Sequence, residues 1–215
     1  MAQSDRLFVG IEQTVIATAQ GDFRLPILYR DGSMLGLGYR VEPRLTREFL
    51  ADLPLEAVTV FGKALVLLCL FDYRDTTIGP YHEMLIAILA RRNNTSPSLL
   101  RFLRDPRGVE EMGWYVVALP VDSKDAHAAG VELWGYPKYI TKIDTVFRPE
   151  EVRGTLAGEF TISHSQGFGL SAKCMPLVSY TVRDRHLLRT CAEVGHRVRF
   201  GGSKKVRIEV HGDGP

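Results

Sequence analysis

The most apolar stretch of the chain, Ala64 to Tyr73, reads ALVLLCLFDY and leaves no polar face. A strand with one side in water alternates, so an unbroken run of this kind predicts a strand buried on both faces. Ile78-Gly79-Pro80 interrupts the run and Tyr81 to Leu89 resumes it. Upstream, Phe23 to Arg30 and Met34 to Val41 flank Asp31-Gly32-Ser33, a turn signal that predicts a hairpin. After Pro43, Leu45, Phe49 and Leu50 stand at helical spacing and predict a short helix ending before Pro54. A second helix is predicted over Ser96 to Arg104, with Leu99, Leu100 and Leu103 on one face. Trp114 to Val121 reads as a strand, Asp125 to Leu133 as a short Ala-rich helix, and Trp134-Gly135-Tyr136-Pro137 as a turn. Arg153 to Thr161 and Val206 to Val210 alternate like strands. Many strands with a few short helices predict one mainly-β or α+β domain over residues 1–215, its sheet strongly curved or closed.

Composition agrees with an ordinary globular chain. Of 215 residues, 45% are hydrophobic and 24% charged, which is far from the disordered range and enough to bury a core without disulfides or metals. Lys and Arg total 27 against 25 Asp and Glu, so the net charge of +2 argues against a polyanion such as nucleic acid as partner. Cys69, Cys174 and Cys191 are odd in number and contain no C-x-x-C pair, which fits reduced thiols in a cytoplasmic protein. The polar start, Met1 to Phe8, has no signal-peptide character, and no apolar window is long enough to span a membrane.

Several familiar signals fall away on inspection. Gly36-Leu37-Gly38 begins like a dinucleotide loop, but Val41 takes the third glycine position. Gly167-Phe168-Gly169-Leu170-Ser171-Ala172 matches G-x-G-x-x-A, yet Pro176 blocks the helix that would have to follow. His82-Glu83 does not continue as H-E-x-x-H, and the six histidines form no ligand-spaced cluster, so no metal and no cofactor is expected. Arg197 to Arg207 is rich in cations but alternates, which predicts a solvated hairpin face better than a nucleic-acid site.

What remains is Gly130-Val131-Glu132-Leu133-Trp134-Gly135-Tyr136-Pro137-Lys138-Tyr139, the densest cluster of large and special residues. Trp134, Tyr136 and Tyr139 surround Lys138 with apolar surface, and desolvation of that kind disfavours a charged ammonium. A neutral lysine is the nucleophile needed to form an imine with a ketone or aldehyde. On spacing alone, a lysine snorkelling beside an aromatic turn is the simpler reading.

Glu132-Leu133-Trp134-Gly135-Tyr136-Pro137-Lys138 resembles the E-L/W-x-Y-P-K signature of the acetoacetate decarboxylase superfamily. Trp114 to Asp122 is similar to the strand preceding that signature, and Ile78-Gly79-Pro80-Tyr81-His82-Glu83 to the family's G-x-Y-x-E segment. Tyr39-Arg40 and the proline-punctuated helix after it resemble the N-terminal part, and the likeness runs from about Phe23 to Asp144. The resemblance implies a cone-like antiparallel β-barrel with a few flanking helices, an apolar internal cavity and a homo-oligomer. It implies Lys138 as the Schiff-base lysine and Glu83 as the active-site acid. The residues themselves also allow Glu83 to be a structural acid paired with Arg30 or Arg91. Tyr81, Trp134 and Tyr136 are expected as cavity wall in contact with substrate, and Arg30 as the receptor of a substrate carboxylate.

Three positions depart from the decarboxylase pattern. Tyr139 stands where the signature has a second lysine, so a neighbouring cation is missing and Tyr139 itself becomes a candidate proton donor. Val66 to Leu70 lacks the second carboxylate expected there, and the match around Arg30 contains a gap. The function expected from the resemblance is decarboxylation of a small β-keto acid such as acetoacetate. Aldolase or dehydratase chemistry on an oxo acid, using the same lysine, is the alternative, and a non-enzymatic ligand-binding barrel is the reading from a different class.

Overall fold

The computed structural model describes residues 8–148, 151–157, 160–165, 170–173, 176–192, 197–200 and 206–210. β1 (Thr14–Thr18) and β2 (Gly21–Leu25) pair as a hairpin. β3 (Tyr29–Val41) runs into a 3-10 turn over Pro43–Thr46 and then α1 (Arg47–Leu50). The short β4 (Leu55–Ala57) and β5 (Thr59–Val60) precede the long β6 (Lys63–Thr76) and β7 (Tyr81–Arg92). α2 (Leu99–Arg104) leads to β8 (Met112–Val121), α3 (Lys124–Trp134) and β9 (Lys138–Ile140). Then come β10 (Ile143–Phe147), β11 (Glu151–Leu156), β12 (Phe160–Ser165) and β13 (Leu170–Lys173). β14 (Leu177–Arg183), β15 (His186–Ala192), β16 (Arg197–Phe200) and β17 (Val206–Val210) complete the described strands.

The mainly-β character with few helices agrees with the sequence, but the closed barrel does not. The nine-stranded main sheet follows an open path, β15-β14-β8-β7-β6-β3, with β4, β5 and β9 attached at its sides. Among the described residues, β3 and β15 are its ends and do not pair with each other. Nor is it wholly antiparallel, because β14 and β9 both run parallel to β8. One face is closed by a second sheet instead, ordered β10-β11-β12-β17. Leu37, Leu68, Leu70 and Met84 of the main sheet pack there with Ile143, Val152, Leu156 and Ile162. Cys69, Phe71, Leu85 and Ala87 point to the other face and meet Val116 and Leu119 of β8. That two-sided demand is why the middle of each strand, Ala64 to Phe71 in β6 and Met84 to Ala90 in β7, is apolar at every position.

Local expectations were met unevenly. Asp31-Gly32-Ser33 is no turn: β3 continues through it, with register shifts at Tyr29/Asp31 and Asp31/Gly32. The segment pairs with β6 through Asp31, Gly32 and Ser33, and Asp31 receives a two-pronged bond from Arg74, at 2.7 and 2.8 Å. The hairpin lies one step earlier, at β1–β2. Of the residues expected to line the first helix, Leu50 of α1 is buried, while Phe49 and Leu45 of the preceding 3-10 turn are exposed; in α2 the buried residue is Phe102, leaving Leu100 70% exposed. Arg153 to Thr161 is not one strand but the β11–β12 hairpin, whose partners stay in step through the reversal. β16 pairs with β13 and β17 with β12, so among the described residues these two strands do not form the expected hairpin with each other. Gly167 to Gly169 and the side chains of Arg197 to Lys205 lie outside the described residues, as does Cys174. No described helix is long and apolar enough to cross a membrane.

Candidate active site

Glu83 lies on β7 opposite Phe71 of β6 and Val121 of β8. Lys138 opens β9 opposite Leu119 of β8, two residues from Val121, so both side chains rise from the same face. Lys138 Nζ donates to Glu83 Oε2 at 2.6 Å, and their side chains are only 6% and 9% exposed. Desolvating two opposite charges costs several kcal/mol per ion, so a buried pair of this kind is a poor device for stability alone. Glu83 therefore pairs with neither Arg30 nor Arg91, which bond Asp75 and Glu56.

An aromatic wall encloses the pair. Nζ is 5.6 Å from the centre of the Tyr81 ring and 6.0 Å from that of Tyr136. Tyr73 contacts the rings of Tyr29, Phe71 and Tyr81, with centroids 4.7, 5.3 and 4.8 Å away. The Tyr29 and Tyr81 hydroxyls share a hydrogen bond at 3.1 Å. Burial first, and then the Glu83 carboxylate, raise the phenols of Tyr29, Tyr73 and Tyr81 above their ordinary value. The same two causes push the Cys69 thiol up to about 12. Burial also raises Tyr136, against the lowering effect of its hydrogen bond to Ser179. These groups remain protonated at neutral pH, so the wall around the pair is uncharged.

Lys138 is aimed by α3 and β14. Ser123 caps the start of α3, accepting from the Ala126 amide. Its end is a left-handed residue, Gly135 (φ +63°), with the Gly135 amide bonded to the Val131 carbonyl and the Tyr136 amide to that of Gly130. Three same-face residues of β14 then grip the segment before Lys138. Arg183 donates to the Glu132 and Leu133 carbonyls at 2.9 and 2.8 Å, and Thr181 to the Trp134 carbonyl at 2.6 Å. Ser179 shares a 2.9 Å hydrogen bond with the Tyr136 hydroxyl. Gly130 leaves the space the lysine stem needs, for a Cβ there would stand 2.4 Å from Lys138 Cε.

Lys138, Glu83, Tyr81 and Tyr136 are thus brought together. Trp134 stands behind Tyr136, with ring centroids 6.4 Å apart, and belongs to the cluster around Phe23, Ala128 and Ala129. Tyr139 is turned away: it is 46% exposed and follows Lys138 on a strand, whose side chains alternate. Arg30 is also directed outward, to Asp75 at 3.4 Å. His82 alternates away from Glu83 and bonds Asp122 at 2.6 Å. Tyr29, Tyr73, Gly130, Ser179 and Thr181 are participants that reading along the chain missed. Tyr73 had a signal, since a β6–β7 hairpin turning at Ile78-Gly79-Pro80 sets it opposite Tyr81. Ser179 and Thr181 had none, arriving from more than forty residues away. A surface recess of about 310 Å³ lined by Ser96, Ser98, Arg101 and Glu111 shares no residue with this site.

The site is thus a buried lysine–carboxylate pair walled by tyrosines, and comparison with known proteins shows the family that the chain belongs to. The family model described as Acetoacetate decarboxylase (ADC) matches residues 15–162, and the chain belongs to that family of enzymes. A structure described as "Structural Studies of Acetoacetate Decarboxylase" superposes with a TM-score of 0.59 at 19% identity, covering 87% of this chain and 76% of that one. Acetoacetate decarboxylase from Legionella pneumophila gives 0.55 at 16% identity, covering 83% and 70%. The enduracididine biosynthesis enzyme MppR, complexed with the condensation product of pyruvate and imidazole 4-carboxaldehyde, gives 0.51 at 15% identity, covering 82% and 81%. None of the curated proteins matches the chain.

Proposed function

We propose that the chain is a lyase that binds a small oxo acid as an imine on Lys138. The observation that carries this reading is the buried 2.6 Å contact between Lys138 Nζ and Glu83 Oε2. A proton passing from Nζ to Oε2 leaves a neutral amine and a neutral acid with no change in total charge. The amine lone pair then attacks the substrate carbonyl carbon. The acid returns its proton to the carbonyl oxygen, Glu83 carries a second proton from the attached nitrogen to the same oxygen, water leaves, and a protonated imine remains beside the Glu83 carboxylate.

With a β-oxo acid, the bond to the carboxylate carbon breaks and carbon dioxide departs. Its electron pair enters the imine to form an enamine, which takes up a proton at carbon before water releases the product from Lys138. This is the family's default chemistry. With an α-oxo acid that has no β-carboxylate, a proton leaves the adjacent carbon instead, and the enamine can attack an aldehyde. The structural likeness to MppR, described with a condensation product of pyruvate, favours keeping this second reading. Family membership also leads us to propose self-association of the chain.

The test is turnover. The wild-type chain is incubated with acetoacetate, and separately with pyruvate and an aldehyde, while carbon dioxide and condensation product are followed. Release of either, abolished in Lys138→Ala and in Glu83→Gln, is the expected result. Unchanged activity in folded Lys138→Ala would exclude the mechanism.

A further inference from the structure

The conventional receptor for a substrate carboxylate is a guanidinium, yet Arg30 is turned outward and occupied by Asp75. Within the aromatic wall, by contrast, the Tyr29 and Tyr81 hydroxyls have only each other among the described residues. Each hydroxyl carries one proton, and a mutual hydrogen bond uses one of the two. The pair therefore holds one uncommitted O–H donor, next to the ring that stands 5.6 Å from Lys138 Nζ. Tyr81 is 3% exposed, so water does not satisfy that donor freely, whereas Tyr29 is 36% exposed as a residue and marks where this inner face meets solvent.

We propose that the Tyr29–Tyr81 hydroxyl pair is the carboxylate receptor of the site, holding an oxygen of the oxo acid while its carbonyl carbon meets Lys138. This rests on the imine reading above and specifies its substrate class: oxo acids, with the acid group recognised by phenols and not by Arg30. A carboxylate accepts short, strong bonds from hydroxyl donors, and phenols that resist ionisation beside Glu83 keep their protons for this purpose. The arrangement also avoids bringing a second cation to Lys138, which would compete for Glu83.

Borohydride trapping at graded concentrations separates the possibilities, with pyruvate and acetoacetate as acid probes and acetone as a neutral carbonyl. In Tyr29→Phe the half-saturating concentration of both acids rises about tenfold, the loss of one hydrogen bond to a charged group, while that of acetone stays within about twofold. Tyr81→Phe behaves alike, and Arg30→Ala leaves all three probes unchanged. Tyr29 is partly exposed, so its variant keeps the test open if Tyr81→Phe unfolds. Equal weakening of acids and acetone in Tyr29→Phe would overturn the proposal, as would a selective loss of the acids in Arg30→Ala. In either case Lys138 still traps carbonyls and the imine reading stands. A wild-type chain that traps neither acids nor acetone on Lys138 would overturn both.

Discussion

A single hydrogen atom at position 130 decides whether Lys138 can reach Glu83. Alanine is the better helix former by about 1 kcal/mol, so on propensity alone Gly130→Ala stabilises α3. Its Cβ, however, would stand 2.4 Å from Lys138 Cε and 2.5 Å from Cδ. A flexible lysine stem is easier to move than a helix, so the variant folds and the ammonium leaves its carboxylate. The predicted outcome is an unchanged or raised melting temperature together with a loss of turnover of about 100-fold or more, as expected for a reacting group displaced by an ångström. Retained turnover would mean that the lysine need not occupy this groove. Individual residues were also the most legible scale of the site. Lys138 and Glu83 sit in recognisable local strings, and Tyr81 and Tyr136 lie within three residues of them. Tyr139 misled because adjacency in sequence is opposition on a strand. Arg30 misled because its neighbour Asp75 is visible only once β3 and β6 are in register.

Among the elements, β14 has the least conspicuous sequence and holds the segment that leads into the lysine. Ser179, Thr181 and Arg183 alternate along one face and bind Tyr136, Trp134 and the end of α3. Thr181→Val keeps shape and volume but leaves the Trp134 carbonyl without its donor in a buried setting, at a cost of about 1–3 kcal/mol. We expect slower imine formation on Lys138, restored by Thr181→Ser, which a purely structural effect of lost volume would not do. Equal rates in all three forms would remove β14 from the account. Parallel pairing of β14 with β8 joins residues 179 and 114, and periodicity carries no information about such partners. The β11–β12 reversal was hidden for a related reason: alternation continues through a tight hairpin, so two strands read as one. β6, β7, β8 and α3 were legible because their apolar runs, helical spacing and caps are local properties.

Taken whole, the molecule places an ion pair, a buried thiol and four raised phenols on one face of an open sheet. In the unfolded chain the thiol would titrate near 9.0 and the phenols near 10.0. The folded chain holds all of them above those values, so in alkali the unfolded state releases protons that the native state keeps. Stability is therefore unaffected by these groups below about pH 9 and falls as pH rises beyond it. The urea midpoint should drop between neutral pH and about pH 10.5, with most phenolate absorbance appearing only as the chain unfolds. A midpoint flat across that range would mean the wall is open to water. The open sheet was the part of the fold least accessible from sequence. Closure depends on whether β3 and β15 meet, and the second sheet that covers Leu70 and Met84 satisfies the same apolar pattern a barrel interior would.

The claim on which everything above depends is that Lys138 forms an imine. Its most direct measurement is borohydride reduction of the wild-type chain in the presence of acetoacetate or pyruvate, followed by peptide mass mapping. If Lys138 forms the imine, one reduced adduct is expected, on the peptide containing Lys138, and none in folded Lys138→Ala. Failure to find that adduct, or its appearance on other lysines at equal yield in both proteins, would contradict it.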